Sequence, residues 1–441
     1  MMTRMPDERV VTAGPGGRLA SVVNAYARRV GPSVLEQHPR ASVSSPLGIW
    51  LLLAACAGAA EGAELASLEE ALGCSGASAG QLLADFMAAP PPALKAAIAV
   101  WARAGDATDA LAAWVRGLPP GIQSGFMPTP AEADAWAERE TLGLIRSFPV
   151  RIDELTRVVL ASALATRVSW EVPFSVVPAS AHLAAGSPWA GKVERLLWDG
   201  LGRGGDRAMI ARTATVGLVA VHCAAAREDL TVVSVSADPG VERAAVLAAA
   251  HELAPVAVAG GDGWSAVASS LYDLPLGSGH SWEIAEEHVP TYIKESPLER
   301  IAGAALPAWS VRGELDLAAS PAFATRPALE TLRRLIGPGP DDECDAAQTA
   351  IASFTRYGFE AAAVTAMAVR ASAARLPVQR TLQRSAVLRY DHPYAAVAVA
   401  GRPVAAGGAR SSAEASAFPG LPLFTVWVHE PREPEDRPPS T

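Results

Sequence analysis

The run YGFEAAAVTAMAVRASAARLP at residues 357–377 constrains this chain more than any other segment. It is small, apolar and nearly uncharged, with no turn signal before Pro377. It also lacks the stripe of an amphipathic helix. Counting by twos, Phe359, Ala361, Ala363, Thr365, Met367 and Val369 share one face. Glu360, Ala362, Val364, Ala366, Ala368 and Arg370 share the other, so both charges fall on one parity. From pattern alone, 359–370 reads about as well as a permanent strand or an Ala-rich helix as it does as an exposed loop. Whatever it is, it sits just before two apolar stretches, HPYAAVAVAG and LPLFTVWVHEP, that read as the closing strands.

The rest of the chain can build a large core without it. Half of the 441 residues are hydrophobic. The net charge of −9 and the scattered Arg and Lys argue against nucleic-acid and anionic-membrane partners. Lys occurs only at positions 95, 192 and 294, and Ala is abundant, which fits a GC-rich bacterial coding sequence. Cys56, Cys74, Cys223 and Cys344 lie far apart without metal or redox spacing, so free, mostly buried thiols are expected and no metal site or cofactor. No secretory signal and no run of 18 apolar residues is present, so a soluble, cytoplasmic monomer is expected.

Local patterns give a mixed set of elements. Leu19, Val22, Val23, Tyr26, Val30 and Val34 recur as one helical face. Ser45 and Pro46 open a second helix as cap and first position. Residues 93–105 read as a strand leading to a turn, 130–145 as a helix, and 155–174 as a central strand covered on both faces. Residues 306–317 alternate in their second half, and 347–358 is a further strand candidate. Helices concentrate early and strands late, which points to the α+β class. Residues 1–17 and 432–441 are expected to be disordered around one domain spanning 18–431.

Catalytic signatures are weak or absent. There is no GxSxG elbow, phosphate-binding Walker loop or HExxH. GLGRGG at 200–205 lacks a flanking strand and helix and reads as a loop. His251, His280 and His288 read as surface or hydrogen-bonded residues rather than ligands. An enzyme is therefore not expected.

Several segments, taken in order, resemble the serpin family. They are SVSSPLGIWLLLAACAGAAEG, ADAWAERETLGLI, LTRVVLASALATRVSWEVPF, FEAAAVTAM, DHPYAAVAV and PLFTVWVHEP. The resemblance spans about residues 19–431, thinly between 190 and 300. It implies one domain with large mixed sheets, eight or nine helices and an exposed reactive loop. In that family a protease cleaves the loop, whose hinge end then inserts as a new strand of the large sheet. The implied hinge is Gly358, Phe359, Glu360, Ala361, Ala362, Ala363, Val364 and Thr365. The family spacing puts the reactive bond at Ser372–Ala373, with Arg370 and Arg375 as alternatives. The implied partner is a protease of the serine type. The implied function is inhibition by loop insertion, with a non-inhibitory serpin-fold binding protein as the alternative.

The chain also departs from the family. Around the point where the sheet opens, the resemblance implies a cluster of Ser, Ser, Asn and His. The matching positions hold Ser45, Gly48, Ser162 and Gln348, and Trp170 is implied as a cap over the sheet top. Phe359 stands where a small residue is usual, and Arg356 where an acidic one is. An inserted Phe359 is therefore expected to overpack the sheet at a cost of ~1–3 kcal/mol.

Overall fold

A computed structural model describes residues 15–106, 108–184, 186–200, 207–259, 263–291, 298–337, 346–359, 379–403 and 417–431. The described residues open with helix α1 (Pro15–Gln37), strand β1 (Ser42–Ser44), helices α2 (Pro46–Ala57), α3 (Gly62–Leu72) and α4 (Gly76–Ala88), and strand β2 (Leu94–Ala102). Helix α5 (Asp109–Gly117), strand β3 (Gln123–Phe126) and helix α6 (Pro130–Glu140) lead to strands β4 (Val158–Thr166), β5 (Val168–Ser169), β6 (Ser175–Pro178) and β7 (Arg195–Asp199). Strands β8 (Arg207–Thr213), β9 (Gly217–Ala225) and β10 (Leu230–Ser236) precede helices α7 (Arg243–Ala259) and α8 (Gly263–Val267). Next come strands β11 (Gly277–Ser278), β12 (Trp282–Thr291), β13 (Leu298–Leu306) and β14 (Trp309–Asp316), then helix α9 (Thr325–Ile336). The last strands are β15 (Ala347–Phe354), β16 (Gly358–Phe359), β17 (Gln379–Arg389), β18 (Tyr394–Ala400) and β19 (Pro422–Val428). This is an α+β fold.

Two sheets have six strands each, in the orders β1-β19-β18-β10-β9-β8 and β11-β12-β17-β13-β7-β6. The two smaller sheets are β14-β15-β16-β5 and β3-β2-β4. Consecutive strands β4 and β5 fall in different sheets, separated only by Arg167. The smaller sheets are thus two leaves hinged at one point of the chain. The expected central strand at 155–174 is broken there. Strand β4 pairs with β2 on one side, and among the described residues its other edge pairs with no strand.

Local chemistry explains the elements that frame this split. Ser45 caps α2 by accepting from the Gly48 N–H at 3.3 Å, and Pro46 occupies the first turn. All of α2 except Leu52 is buried, so it runs as a core helix beneath the leaves. Helix α6 starts in a capping box, with Thr129 and Glu132 each satisfying the other's backbone. It ends at Glu140 rather than near 145, because Leu142 and Gly143 take left-handed backbone angles of 57° and 80°. Strand β14 alternates buried and exposed along its whole length. Residues 15–17, expected to be disordered, form the first turn of α1. Pro15 suits that position, and Gly16 packs so closely on Ala417 that any Cβ would overlap its carbonyl. Cys56 is a buried free thiol, Cys223 is buried and Cys74 is half-buried, while Cys344 lies outside the described residues, as do 201–206. Among the described residues no helix is long and apolar enough to cross a membrane.

The core divides between three places. The main part joins α1, α2 and α4 to the sheets through Tyr26, Trp50, Phe86, Trp309 and Phe354. A second lies between α7 and the first six-stranded sheet, and a third packs Trp136 of α6 against Trp101 of β2. Between the first two sits a polar cluster centred on His251, which is buried, while His280 and His288 are exposed. Asn24 donates to the carbonyls of Ala20 and Gly420, so its Oδ1 is left to accept from His251 Nδ1 at 3.2 Å. His251 Nε2 then accepts from the Thr425 hydroxyl at 3.1 Å.

Burial, with a smaller push from Arg28, lowers the His251 pKa from 6.5 to about 3. The unfolded chain therefore takes up this proton first as the pH falls. Stability is fully present above pH 6.5 and declines by ~1.4 kcal/mol per pH unit down to about 3. Urea denaturation between pH 7 and pH 4 should show this decline, and His251→Gln should flatten it. An unchanged slope in the variant would assign the acid sensitivity to other groups.

Candidate functional site: a slot in the split sheet

Strands β4 and β15 face each other across a slot. Helix α6 and the segment after it cover one side through Trp136, Ile145 and Phe148. Ile49 of α2 and Phe424 of β19 close the other. The slot holds a cavity of about 70 Å³ between Ser162 on β4 and Gln348 on β15. Among the described residues no backbone hydrogen bond joins the two strands. Among the described residues, the slot is therefore lined by strand edges that pair with no strand.

Its upper end is already filled by one rung. In β16, Phe359 lies opposite Phe354 of β15 and Val168 of β5, and Gly358 lies opposite Ser169. All these pairings are antiparallel. With strands ~4.8 Å apart, this rung holds β15 and β5 about two strand spacings from each other. The Phe359 side chain is only 2% exposed. Its ring meets Trp309 edge-on at 6.3 Å and Phe424 at 6.4 Å. The overpacking expected at this position is not found, because a pocket for the ring is built into the core.

A tight turn at 355–358 delivers the chain to this rung. Thr355 Oγ1 accepts from the N–H groups of Tyr357 and Gly358, each at 3.2 Å. The indole N–H of Trp170 donates to the Thr355 carbonyl at 2.9 Å, and its backbone N–H donates to Tyr357 at 3.0 Å. Its ring packs on Phe354 and Phe174, at 4.9 and 5.9 Å. Arg356 donates from Nε to the Phe174 carbonyl at 3.1 Å, and its guanidinium lies over the Tyr357 ring. The roles of Thr355 and Arg356 were missed from sequence. A Thr three residues before a Gly at a strand end is the pattern that marks such a turn.

The lower end brings together the four positions that the family resemblance singled out. The Gln348 amide accepts from the Ser45 N–H at 2.9 Å and donates to the Ser45 carbonyl at 3.0 Å. Ser45 Oγ donates to the Leu423 carbonyl at 2.7 Å. Ser162 Oγ donates to the Gly48 carbonyl at 3.1 Å. A Cβ at Gly48 would come within 3.1–3.4 Å of Leu164, Ser162 and Gln348, so this side of α2 leaves little room. Both walls of the slot are thus pinned to the start of α2 and not to each other. None of these four side chains titrates, so the cluster holds across the pH range.

Of the other implied site residues, Glu360, Ala361, Ala362, Ala363, Val364, Thr365, Arg370, Ser372, Ala373 and Arg375 lie outside the described residues. The chain resumes in β17, which belongs to the second six-stranded sheet. There it pairs with β12 over ten residues, and Arg384 bonds Glu286 at 2.8 Å and the carbonyls of Leu271 and Leu274. Residues 360–378 therefore connect two different sheets. Among the described residues no group of His, Cys, Asp and Glu could hold a metal ion.

No family model and no curated protein matches the chain. Solved structures do. The chain is similar to the thermophilic serpin tengpin in its native state, at 13% identity and a TM-score of 0.61, over 98% of this chain and 96% of tengpin. It is similar to a cleaved serpin, Serpin 42Da, at 14% identity and a TM-score of 0.60, over 95% of this chain and 100% of that one. Human thyroxine-binding globulin, in complex with thyroxine, matches at 13% identity and a TM-score of 0.59, over 95% and 100%. The chain has a divergent form of the serpin fold.

The pinning of β15 to α2 rests on Gln348. Gln348→Ala removes both of its bonds and leaves the Ser45 N–H unpaired in a largely buried place, while the Ser45 carbonyl keeps the Ile49 N–H at 3.4 Å. The expected loss is ~1–3 kcal/mol in chemical denaturation. A variant as stable as the parent would show that the pinning contributes nothing.

Proposed function

We propose that this chain is a protease inhibitor acting by loop cleavage and strand insertion, on a protease of the serine type. The observation that carries the reading is the slot: a strand's width between β4 and β15 that no described strand fills, with Gly358–Phe359 as its upper rung. Continuing six residues down from the Phe354–Phe359–Val168 rung brings Thr365 level with Gln348 on one side and Ser162 on the other. Phe359 is buried, so Ala361, Ala363 and Thr365, which share its parity, would also turn inward. These are small side chains for a narrow slot. Glu360 and the other residues of opposite parity would turn outward.

Cleavage is what would free the strand. The segment is held at its far end by β17, so full insertion of an uncut loop would drag its tail down the slot. Once cut near Ser372–Ala373, or after Arg370 or Arg375, the N-terminal part can enter alone. A protease still joined to that part as an acyl-enzyme would be carried with it. Each new backbone bond would add ~0.5–1.5 kcal/mol net. The inserted form would therefore lie well below the intact one.

A second reading has its own support. Thyroxine-binding globulin shares the fold and is solved in complex with thyroxine. A non-inhibitory binding protein built on this fold is the alternative.

The experiment is incubation with a panel of serine proteases, followed by mass spectrometry and melting. The inhibitor reading expects a covalent complex that survives SDS, and a chain cut between 368 and 378 that melts far above the intact one. Clean cleavage with no change in melting temperature would remove the inhibitor reading and leave the binding protein.

A further inference from the structure

Strand β17 is gripped along both edges and on both faces by elements that precede it in the chain. We propose that β12, β13 and the turn at 270–274 form a clasp that keeps β17 in its sheet in both the uncut and the cut protein. What the clasp does for the slot rests on the insertion reading. Both edges of β17 are occupied. It pairs antiparallel with β12 from Gln379 to Leu388, and parallel with β13 from Gln383 to Arg389. Strands β12 and β13 follow one another in the chain, so a single neighbourhood of sequence supplies both flanks.

Ion pairs fasten the two faces separately. Arg384 and Arg389 are an odd number of residues apart, so their side chains leave β17 on opposite faces. Arg384 Nε bonds Glu286 of β12 at 2.8 Å on one face, and Arg389 pairs with Glu283 of β12 on the other. The turn closes over the first face. Arg384 donates to the carbonyls of Leu271 and Leu274 at 2.9 and 3.0 Å, and its guanidinium lies 4.5 Å from the centre of the Tyr272 ring. The Tyr272 hydroxyl donates to the Leu382 carbonyl of β17 at 3.3 Å. The turn is in its own right tied to β13, because Glu299 accepts from the Leu271 N–H at 2.8 Å and from the Ser270 hydroxyl.

A strand paired on one side can peel from its sheet one bond at a time. A strand paired on both sides has to break two ladders together, and it leaves two open edges behind. Withdrawing β17 would also strip Glu286 and two carbonyls of the charged donor that they share. Strand β17 thus opens only with the sheet around it. For the slot the effect is directional. Chain can enter from the Phe359 side, but none can be drawn from β17. A strand of the uncut chain that entered the slot would have to leave it again to reach Gln379. A cut removes that requirement, so the clasp makes a complete inserted strand conditional on cleavage.

The test is hydrogen–deuterium exchange of the full-length chain, intact and after protease cleavage, read on peptides covering 379–389. Peptides covering β18 at 394–400 serve as the internal reference. In the parent the 379–389 amides should exchange slowly, and cleavage should leave their rate unchanged. In Arg384→Ala they should exchange about tenfold faster while 394–400 keeps its rate. Cleavage that speeds exchange at 379–389 overturns the proposal, and so does a folded Arg384→Ala chain with parental rates. If Arg384→Ala does not fold, Glu286→Gln carries the test, since it keeps the shape and removes the charge. A smaller acceleration is then expected, and parental rates contradict the clasp. The melting comparison on the cleaved parent separates the two readings. If cleavage raises the melting temperature while the variants exchange like the parent, only the clasp falls. If cleavage raises nothing, the insertion reading falls, and the exchange rates still decide whether β17 is clasped.

Discussion

A single backbone rung, Phe354–Phe359–Val168, governs the rest of this structure. A β-sheet satisfies its backbone by pairing neighbours, and an unpaired edge inside a protein is costly unless something occupies it. Here the rung inserts one strand's width at the top of the sheet, and it is the last such rung among the described residues. The two leaves diverge from that point, joined on one side only by the chain at Arg167. At the bottom each leaf bonds separately to the start of α2, through Gln348 and Ser162. The slot is thus framed by bonds at both ends, and among the described residues no ladder spans its middle.

The surrounding core makes this arrangement tenable. Helix α6 and the segment after it cover the slot with Trp136, Ile145 and Phe148, so the open edges are not an open aggregation template. Trp170 and Arg356 fix the turn that feeds the rung, and Trp309 and Phe424 receive the ring. The far leg of the segment is fastened in a different sheet through Arg384. Whatever the chain between residues 359 and 379 does, its two ends are fixed to separate parts of the fold.

Much of this was legible in the sequence where the signal is local. The Ser45-Pro46 cap, the stripe of α1 and the closing strands β18 and β19 follow from chemistry within a few residues. The grouping of Ser45, Gly48, Ser162 and Gln348 came from the family resemblance, because residues so distant in sequence carry no local mark of contact. Besides the helical start at residues 15–17, three features were read differently. Helix α6 stops at Glu140 because Leu142 and Gly143 turn left-handed, which apolar spacing does not report. The run at 155–174 is divided between two sheets at Arg167, and among the described residues β4 pairs on one side only, since pairing depends on a distant partner. Phe359 looked oversized because its pocket is built by Trp309 and Phe424, one from before it in the chain and one from after.

The most direct test of the central claim is a crystal structure of the chain cut between residues 368 and 378. The account predicts one continuous sheet in which residues 359–368 run between β4 and β15, with Thr365 lying between Gln348 and Ser162. A structure in which β4 and β15 remain apart, or pair with each other while the cut segment stays outside, would contradict it.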